Sequence, residues 1–430
     1  MNMIKTSLSL MLVFMFSFTV SVDAQQIHRC GQDKALEQLY AQDPGAEAQF
    51  EATRNSILEY LSTNKDNLKI SEDENTYYIP VVVHMVYSNE TQNLSDEQIN
   101  SQIAVLNEDF NRLNPDSTNT RADFTAIAGS ANVQFVLAQV DPEGNPTTGI
   151  VRTETTEISF DSGDTPYGWD NVKREEEGGS DAWPRNSYMN MWVCNLDPGF
   201  GVLGYAYPPG GVAWQDGIVL AYRYFGRIGS NFPYDLGRTT THEVGHWLGL
   251  SHMWGFGGCS SDDGVSDTPI STTSYFGCPS AAASSCSSLD NWENYMDYVD
   301  DRCMNMFTDG QIELMRGILN DSIGVRKNLQ TSEGIYQTTG LFGPEKTRFE
   351  VTLYPNPANS ETVTVDFGAA LTESANIHVY DQVGRQVYGA AIGAGQNRFS
   401  VDISRLSAGL YSLRVEGETA VATSKLVISQ

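Results

Sequence analysis

A short segment of the chain combines the residue types that bind a metal ion and activate water. Residues 242–252 follow the pattern H-E-x-x-H-x-x-G-x-x-H. His242 and His246 are four residues apart, so on a helix both imidazoles project from one face and can bind the same zinc ion, Zn²⁺. Gly249 can adopt a positive φ and end the helix, which lets the chain turn back and present His252 as the third ligand.

Three neutral imidazoles leave the fourth position of a tetrahedral zinc ion for water, which is typical of a catalytic rather than a structural site. Glu243 directly follows the first predicted ligand and cannot easily bind the same ion. Its carboxylate can instead hold that water and take its proton, so the sequence predicts Glu243 as a general base. The alternative is a helix with structural or incidental histidines. It is disfavoured because three of the six histidines fall in this segment.

The segment resembles the zinc region of the metzincin metallopeptidases, which also have a methionine-containing turn beneath the metal. Residues 294–298, Asn-Tyr-Met-Asp-Tyr, are similar to that turn. The resemblance implies that Met296 forms a hydrophobic floor under the three histidines. It also implies that Tyr298 approaches the metal and stabilises the oxyanion of the transition state. Without the zinc helix, a methionine in such a loop would more often be plain core packing.

A finer resemblance is to the small prokaryotic members of the pappalysin family. It rests on residues 242–252, 263–269 and 300–303, on the turn, and on residues 201–206, which look like the family's substrate-side strand. The resemblance implies a zinc endopeptidase, often calcium-bound, and some members cut before Arg or Lys. Asp301 resembles the acid that would bind such a basic side chain in the primed-side pocket. A solvated aspartate or a calcium-loop acid is the alternative for this residue.

Acidic and hydroxyl side chains are dense at residues 262–268, just past the zinc segment. Hard oxygen ligands grouped in this way suit calcium, Ca²⁺, although the spacing is not that of an EF-hand. The pappalysin resemblance implies Asp263 and Thr268 as ligands, assisted by backbone oxygens near Met253 and Val265. An acidic, solvated loop is the alternative.

Four of the six cysteines, at positions 259, 278, 286 and 303, surround this loop. They could form a second zinc site, but in an exported chain two disulfides are favoured. Four cysteines allow three pairings, and the resemblance favours Cys259–Cys286 and Cys278–Cys303. These bonds would brace the chain between the zinc helix and the methionine turn. Cys194 lies in an apolar, strand-like run, which predicts a buried thiol.

The sixth cysteine, Cys30, stands in a polar segment between Arg29 and Gly31. A thiolate can fill the fourth zinc position and displace the water. Zymogens of several metzincins use such a cysteine switch, so residues 25–75 are predicted to be an inhibitory propeptide that binds zinc through Cys30. A Cys30–Cys194 disulfide or an idle thiol remains the alternative.

The elements that must position these residues can be identified from hydrophobic periodicity. Strands are predicted at residues 77–87, 133–140, 188–196 and 218–222, and helices begin near Arg238 and after Thr308. A capping box, Ser95 with Gln98, precedes a helix whose apolar positions are Ile99, Ile103, Leu106, Phe110 and Leu113. Residues 76–330 are thus predicted to form an α/β metzincin-like catalytic domain, a mixed twisted sheet plus the zinc helix.

The last part of the chain has a different pattern. Residues 331–348 are rich in Thr, Ser and Gly, which is typical of a linker. Short strands are then predicted at residues 349–354, 362–367, 377–380, 385–388, 399–403, 410–415 and 425–428. They indicate a small all-β sandwich over residues 349–430. Residues 353–358, 379–385, 407–411 and 425–430 resemble motifs of the C-terminal sorting domain of type IX secretion substrates. A carbohydrate- or partner-binding sandwich is the alternative.

The N-terminus and the composition agree with export. Lys5, the apolar run 8–20 and the small residues before Ala24 predict a signal peptide over residues 1–24, with a permanent membrane anchor as the alternative. The 54 acidic against 26 basic residues give a net charge of −28, which disfavours nucleic acid as a partner. No other apolar run is long enough to cross a bilayer, so stable membrane insertion is not expected.

Together these features predict a secreted zinc endopeptidase made as a cysteine-switch zymogen. Its expected partners are protein or peptide substrates, and the secretion machinery through the C-terminal domain. A surface adhesin on a degenerate protease scaffold is the main alternative, and the intact zinc segment argues against it. An enzyme that uses the same metal site on another amide is a third possibility.

Overall fold

The computed structural model describes residues 28–64, 76–160, 168–196, 201–320, 326–335, 347–349, 351–381, 386–417 and 420–429. The predicted signal peptide, residues 1–24, lies outside the described residues, as does most of the predicted linker. The chain divides into two compact units, Met1–Gly334 and Ile335–Gln430. Within the described ranges, no helix is both long and apolar enough to cross a membrane.

In its described residues, the first unit is built on a seven-stranded mixed sheet and five α-helices. Its strands are β1 (His28–Cys30), β2 (Tyr77–Tyr87), β3 (Val133–Leu137), β4 (Ile150–Glu154), β5 (Met189–Cys194), β6 (Val202–Ala206) and β7 (Ile218–Ala221). The helices are α1 (Gln32–Gln42), α2 (Ala46–Asn64), α3 (Asp96–Phe110), α4 (Arg238–Trp247) and α5 (Asp309–Asn320). A small hairpin, β8 (Ser284–Ser285) and β9 (Ser288–Leu289), lies between α4 and α5.

The sheet order is β1-β6-β7-β5-β2-β3, and β4 also pairs with β2. All pairs are parallel except β6 with β7. β2 pairs with three strands, β3, β4 and β5, and its near-continuous apolar sequence agrees with burial on both faces. β2 has the bounds that its sequence predicts, whereas β1 and β4 were not predicted.

The two faces of the sheet pack against different helices, because alternate residues of a strand point to opposite sides. Val81 and Met191 lie in the larger core, with apolar residues of α3, α4 and α5. Trp192 and Tyr205 lie in a second core on the other face, which also contains Leu39 of α1 and residues of α2. Helix α4 therefore lies against one face, with strand β6 directly beside it.

Helix α3 begins as predicted but ends earlier than its apolar pattern suggests. The Ser95 hydroxyl accepts a hydrogen bond from the Gln98 backbone N–H at 3.2 Å, whereas the Gln98 amide donates to a distant carbonyl instead of completing the capping box. The helix stops at Phe110, and Arg112 has a φ of +52°. As a result Leu113, predicted on the apolar face, is 72% exposed.

The second unit is all-β, as the sequence predicts. Its strands are β10 (Thr347–Arg348), β11 (Thr352–Tyr354), β12 (Thr362–Asp366), β13 (Ala375–Tyr380), β14 (Gln386–Ile392), β15 (Arg398–Asp402), β16 (Gly409–Gly417) and β17 (Ala420–Ile428). They form a five-stranded sheet, β10-β17-β16-β13-β14, and a three-stranded sheet, β11-β12-β15. Pairing is antiparallel except for β10 with β17, and a separate apolar core forms between the strands.

Candidate metal centre

Helix α4 and the turn after it bring the three histidines together. His242 and His246 lie on α4, which ends at Trp247, and Gly249 then has a φ of +88°. This positive φ favours glycine, and a Cβ at Gly249 would lie 2.3 Å from Ile318 Cδ1 of α5, which would have to move to make room. The chain reverses there and presents His252 to the same point.

The imidazoles converge through their Nε2 atoms. His246 Nε2 lies 3.1 Å from His242 Nε2 and 3.0 Å from His252 Nε2. The Nδ1 atoms of His242 and His246 lie 2.7 Å and 2.8 Å from the backbone oxygens of Tyr295 and Leu250. Hydrogen bonds from Nδ1 to these oxygens leave the Nε2 lone pairs directed at the common point.

Burial keeps these imidazoles neutral, which is the form that binds a metal. It lowers the pKa of His246 to about 4, and the pKa values of His242 and His252 fall well below 6.5. Cys30 Sγ completes the cluster, since its ligand atom and those of the three histidines all lie within 4.8 Å of one another. A buried set of three imidazole nitrogens and one sulfur fits zinc in charge, softness and coordination number.

Glu243 is fully buried beside this cluster. The Cys30 thiol donates to Glu243 Oε2 at 3.5 Å, and Oε1 has no hydrogen-bond partner. Burial raises the pKa of the Glu243 carboxyl to about 8, while the Cys30 hydrogen bond and the positive charge of Arg29 act in the opposite direction. A cation held by the imidazoles would also favour the ionised carboxylate.

The methionine turn lies directly under helix α4. A Cβ at Gly245 would lie 2.5 Å from Met296 Sδ, so the glycine allows the turn to approach the helix closely. The Met296 backbone N–H donates to Asn294 Oδ1 at 2.9 Å, which holds the turn. Tyr298 Oη lies 3.1 Å from His252 Nε2, and burial raises the pKa of this phenol. Met296 and Tyr298 are therefore both adjacent to the predicted metal site.

Strand β1 brings Cys30 into the site. It pairs in parallel with β6, with Cys30 opposite Gly204 on the strand that sequence resemblance identified as substrate-side. The preceding Arg29 is fully buried: its guanidinium donates to Asp301 Oδ1 at 2.6 Å and to the Val299 backbone oxygen. This ion pair was not predicted from the sequence. One signal could have indicated it: Arg29 is next to the predicted switch residue Cys30, and Asp301 was expected to bind a basic side chain.

Asp301 is held from both sides. Its Oδ2 accepts the backbone N–H groups of Leu236 and Arg238, at 2.9 and 3.1 Å, while Oδ1 binds Arg29. The Arg29 guanidinium also lies 4.9 Å from the centroid of the Tyr234 ring. Because Asp301 is fully buried, it is not the solvated aspartate that the sequence left as an alternative.

The predicted calcium loop is compact and contains an unpaired buried oxygen. Asp263 Oδ1 accepts from the Val265 N–H at 3.0 Å and from the Thr268 hydroxyl at 2.7 Å, whereas Asp263 Oδ2 is buried without a partner. The Asp263 backbone oxygen accepts from Arg54 of α2 at 3.1 Å. The Met253 side chain lies in the core of the unit.

The cysteines divide as the resemblance implies. Disulfides join Cys259 to Cys286 and Cys278 to Cys303, with Cα–Cα distances of 5.3 and 5.7 Å. Cys194 is buried in β5 and belongs to neither disulfide. The alternative Cys30–Cys194 disulfide is wrong, because β1 places Cys30 against Glu243.

Two family descriptions match this chain. Residues 173–320 match the family described as Pregnancy-associated plasma protein-A, and residues 352–429 match the Secretion system C-terminal sorting domain. The first match contains the zinc segment and the methionine turn. The second covers nearly all of the described strands of the second unit.

Individual extracellular metalloproteases are also similar to this chain. An extracellular metalloprotease of Pyricularia oryzae is 30% identical over 326 residues, 72% of this chain and 94% of the relative. Extracellular metalloprotease 1 of Coccidioides posadasii is 34% identical over 53% of this chain and 71% of its own length.

Two solved structures from Tannerella forsythia share the fold. Mature mirolysin in complex with a cleaved peptide is 47% identical, with a TM-score of 0.57, over 60% of this chain and 96% of that chain. A promirolysin mutant is 42% identical, with a TM-score of 0.61, over 70% of this chain and 97% of that chain. The predicted metzincin-like fold and the resemblance to small prokaryotic pappalysins are thereby confirmed.

Proposed function

Because this chain belongs to the pappalysin family of secreted metalloproteases, we propose that it is a zinc endopeptidase made as a cysteine-switch zymogen. The observation that carries the proposal is the convergence of three buried imidazoles, with Nε2 separations of 3.0 and 3.1 Å, beside the carboxyl group of Glu243. A degenerate scaffold kept for adhesion would not need this donor set or a buried carboxylate beside it.

His242, His246 and His252 would hold the zinc ion. When bound, zinc supplies Lewis acidity and makes water a nucleophile at neutral pH. Glu243 accepts the proton of the attacking water and returns it to the leaving amine. The Tyr298 hydroxyl, beside His252, donates a hydrogen bond to the oxyanion that develops on the scissile carbonyl. Gly204 and its neighbours on β6 bind the substrate backbone in the position that β1 occupies in the precursor.

A peptide-library digest with the mature wild-type protein and its Glu243→Ala variant tests the proposed function. Loss of a general base is expected to slow cleavage at all sites by about 10²–10⁴-fold. Glu97→Ala, which removes an exposed glutamate from the first turn of α3, is the matched control and should leave the rate unchanged. A wild-type protein that cuts no peptide would support the adhesin, and hydrolysis of other amides alone would support the third alternative.

We infer latency from the contacts of residues 28–30. Cys30 is a fourth potential ligand within the histidine cluster, and Arg29 is bound to Asp301. Strand β1 also covers the edge of β6 that a substrate needs. That one of the similar structures is a proform supports the same proposal. Removal of residues 25–75 would free the zinc position and the cleft together.

The buried Arg29–Asp301 pair also supports a preference for Arg or Lys after the cut bond. Asp301 Oδ1 accepts a hydrogen bond from the Arg29 guanidinium at 2.6 Å, and neither side chain is exposed to solvent. A charge-assisted hydrogen bond in such a pocket favours a basic side chain strongly over an apolar one. The propeptide arginine would therefore occupy the pocket that a substrate arginine fills after maturation.

Calcium is proposed for the loop that contains Asp263. Asp263 is only 3% exposed and its Oδ2 has no hydrogen-bond partner, which supports this, because a buried carboxylate oxygen without a partner needs a cation or a proton. Thr268 and the backbone oxygens near Met253 and Val265 would supply further ligands. We expect a selective calcium chelator to lower the melting temperature of the mature enzyme by several degrees while its zinc content, measured by atomic emission, stays unchanged. An unchanged melting temperature would contradict the proposal.

The precursor organisation follows from these roles. Residues 1–24 would be the signal peptide, 25–75 the inhibitory propeptide, 76–330 the catalytic domain, 331–348 the linker and 349–430 the sorting domain. The family match over residues 352–429 supports an interaction of the last domain with the secretion machinery. Proteins or peptides are the expected substrates.

A further inference from the structure

One buried carboxylate outside the metal cluster joins the two segments that hold His242. Asp109 lies near the end of α3 and is 4% exposed. Its Oδ2 accepts a hydrogen bond from the Thr241 hydroxyl at 2.8 Å, and its Oδ1 accepts one from the Tyr295 hydroxyl at 2.9 Å. Thr241 belongs to helix α4, whereas Tyr295 belongs to the methionine turn.

Both partners of Asp109 adjoin His242. Thr241 is its neighbour on the helix, and the backbone oxygen of Tyr295 accepts from His242 Nδ1 at 2.7 Å. The orientation of the His242 ring therefore depends on the placement of the turn relative to the helix. Asp109 is the side chain whose two oxygens each bind one of these segments.

The carboxylate is also charge-compensated. Arg238, at the start of α4, places a guanidinium nitrogen 3.5 Å from Asp109 Oδ1. The same guanidinium makes two hydrogen bonds of 2.6 Å to Asp116. Asp116 thus shares the arginine with Asp109, but no hydrogen bond joins it to Thr241 or Tyr295. It provides a natural control for effects that act only through charge or through Arg238.

We propose that Asp109 is a positioning residue for His242, which fixes the imidazole for zinc by tying helix α4 to the methionine turn. The inference rests on the proposed zinc site, but it does not require the proposed cleavage preference or latency. Groups that orient a metal-binding histidine typically change metal affinity or activity by about 10–100-fold when they are removed. Asp109 acts on His242 only through Thr241 and Tyr295, so we expect an effect near the lower end of this range, about 10-fold.

The experiment compares mature enzyme carrying Asp109→Ala, Asp109→Asn or Asp116→Asn with the wild type. Zinc loss to a chromogenic chelator measures how firmly the metal is held, and the visible absorption of the cobalt-substituted protein reports ligand geometry. We expect Asp109→Ala to release zinc about 10-fold faster and to change the cobalt spectrum. It should also lower kcat while KM stays nearly constant, because substrate contacts are intact. Asp116→Asn should match the wild type in zinc release and spectrum.

Milder variants keep the test valid if Asp109→Ala does not fold. Tyr295→Phe removes one hydroxyl but keeps the ring that packs on Phe307, and Thr241→Val removes the other bond. If each acts through Asp109, then combining either of them with Asp109→Asn adds less than the sum of the separate effects. Additive effects would overturn the proposal.

The readouts separate this inference from the proposed function. Equal zinc release and equal cobalt spectra for the Asp109 and Asp116 variants would overturn the role of Asp109, even if both variants lost thermal stability. A wild-type protein that binds zinc but hydrolyses no peptide would contradict the proposed function and leave the metal measurements interpretable.

Discussion

The two oxygens of Asp301 have different tasks. Oδ2 is fixed by the backbone N–H groups of Leu236 and Arg238, and these hydrogen bonds orient the carboxylate independently of Arg29. Oδ1 is the atom that binds Arg29. A side chain held in this way is preorganised for a cation, and little conformational entropy is lost when the cation binds.

Replacing the charge of Asp301 should therefore change selectivity more than overall activity. We expect Asp301→Asn in the mature enzyme to lower kcat/KM for cleavage before Arg by about 10–100-fold, since a hydrogen bond between charged groups contributes about 1.5–3 kcal/mol. Cleavage before apolar residues should change much less. Paired peptides that differ only in the residue after the cut bond provide the measurement.

Asp300→Asn is the matched control for this prediction. Asp300 is the neighbouring acid, and its carboxylate pairs with the exposed Arg302 at 3.1 Å instead of binding Arg29. It should leave the selectivity unchanged. A loss of the same size for every peptide with Asp301→Asn would rule out Asp301 as the selective group.

The residues of the site differ in how far they could be predicted from the sequence. His242, Glu243, His246 and His252 are within one local segment, so helical spacing and the turn at Gly249 bring them together. Arg29 and Asp301 are 272 positions apart, and neither residue has a local pattern that indicates the other. Asp109 was also missed, because an aspartate near the end of an amphipathic helix is usually a surface residue.

At the level of elements, β1 is the short strand that would keep the precursor latent. Only three residues long, it occupies the edge of β6, and α1 follows it immediately. No periodicity could predict it, because its hydrogen bonds are made to a strand far along the chain. The longer elements β2, α3, α4 and α5 were predicted, since each has enough residues to show a pattern. β6 was identified only through family resemblance.

Cys30 and Arg29, the two residues of β1 that contact the site, should contribute separately to latency. In the purified precursor, we expect both Cys30→Ala and Arg29→Ala to raise peptidase activity or to speed self-processing, and the double variant to exceed either. The physical reason is that Cys30 would occupy the metal position while Arg29 occupies the Asp301 pocket. Initial rates on a small peptide and the time course of precursor loss on gels measure the effect.

Lys34→Ala is the control for latency, because Lys34 is an exposed cation on α1, four residues beyond Cys30. It should behave as the wild type. If precursors lacking Cys30 or Arg29 are no more active and no faster in processing than this control, then β1 is not the inhibitory element.

At the level of the whole molecule, each compact unit has its own core. The buried cluster that includes Val363, Ile377 and Leu413 draws only on the second unit, and the clusters around the sheet and α4 draw only on the first. Units with separate cores generally fold independently. Peptide hydrolysis and export should therefore be separable properties of this chain.

Truncation after Gly334 tests this separation. We expect the truncated precursor to fold, to bind zinc and, after maturation, to cleave peptides at the wild-type rate, because every residue proposed for the site lies before that point. When expressed in a bacterium with a type IX system, it should remain inside the outer membrane, whereas the full chain reaches the medium or the cell surface. A full-length Leu413→Asp variant, which places a charge in the core of the second unit, is the matched control. The Leu413→Asp variant should also fail in export while retaining peptidase activity in lysates.

If the chain truncated after Gly334 lost peptidase activity, then the second unit would be needed to stabilise the metal site.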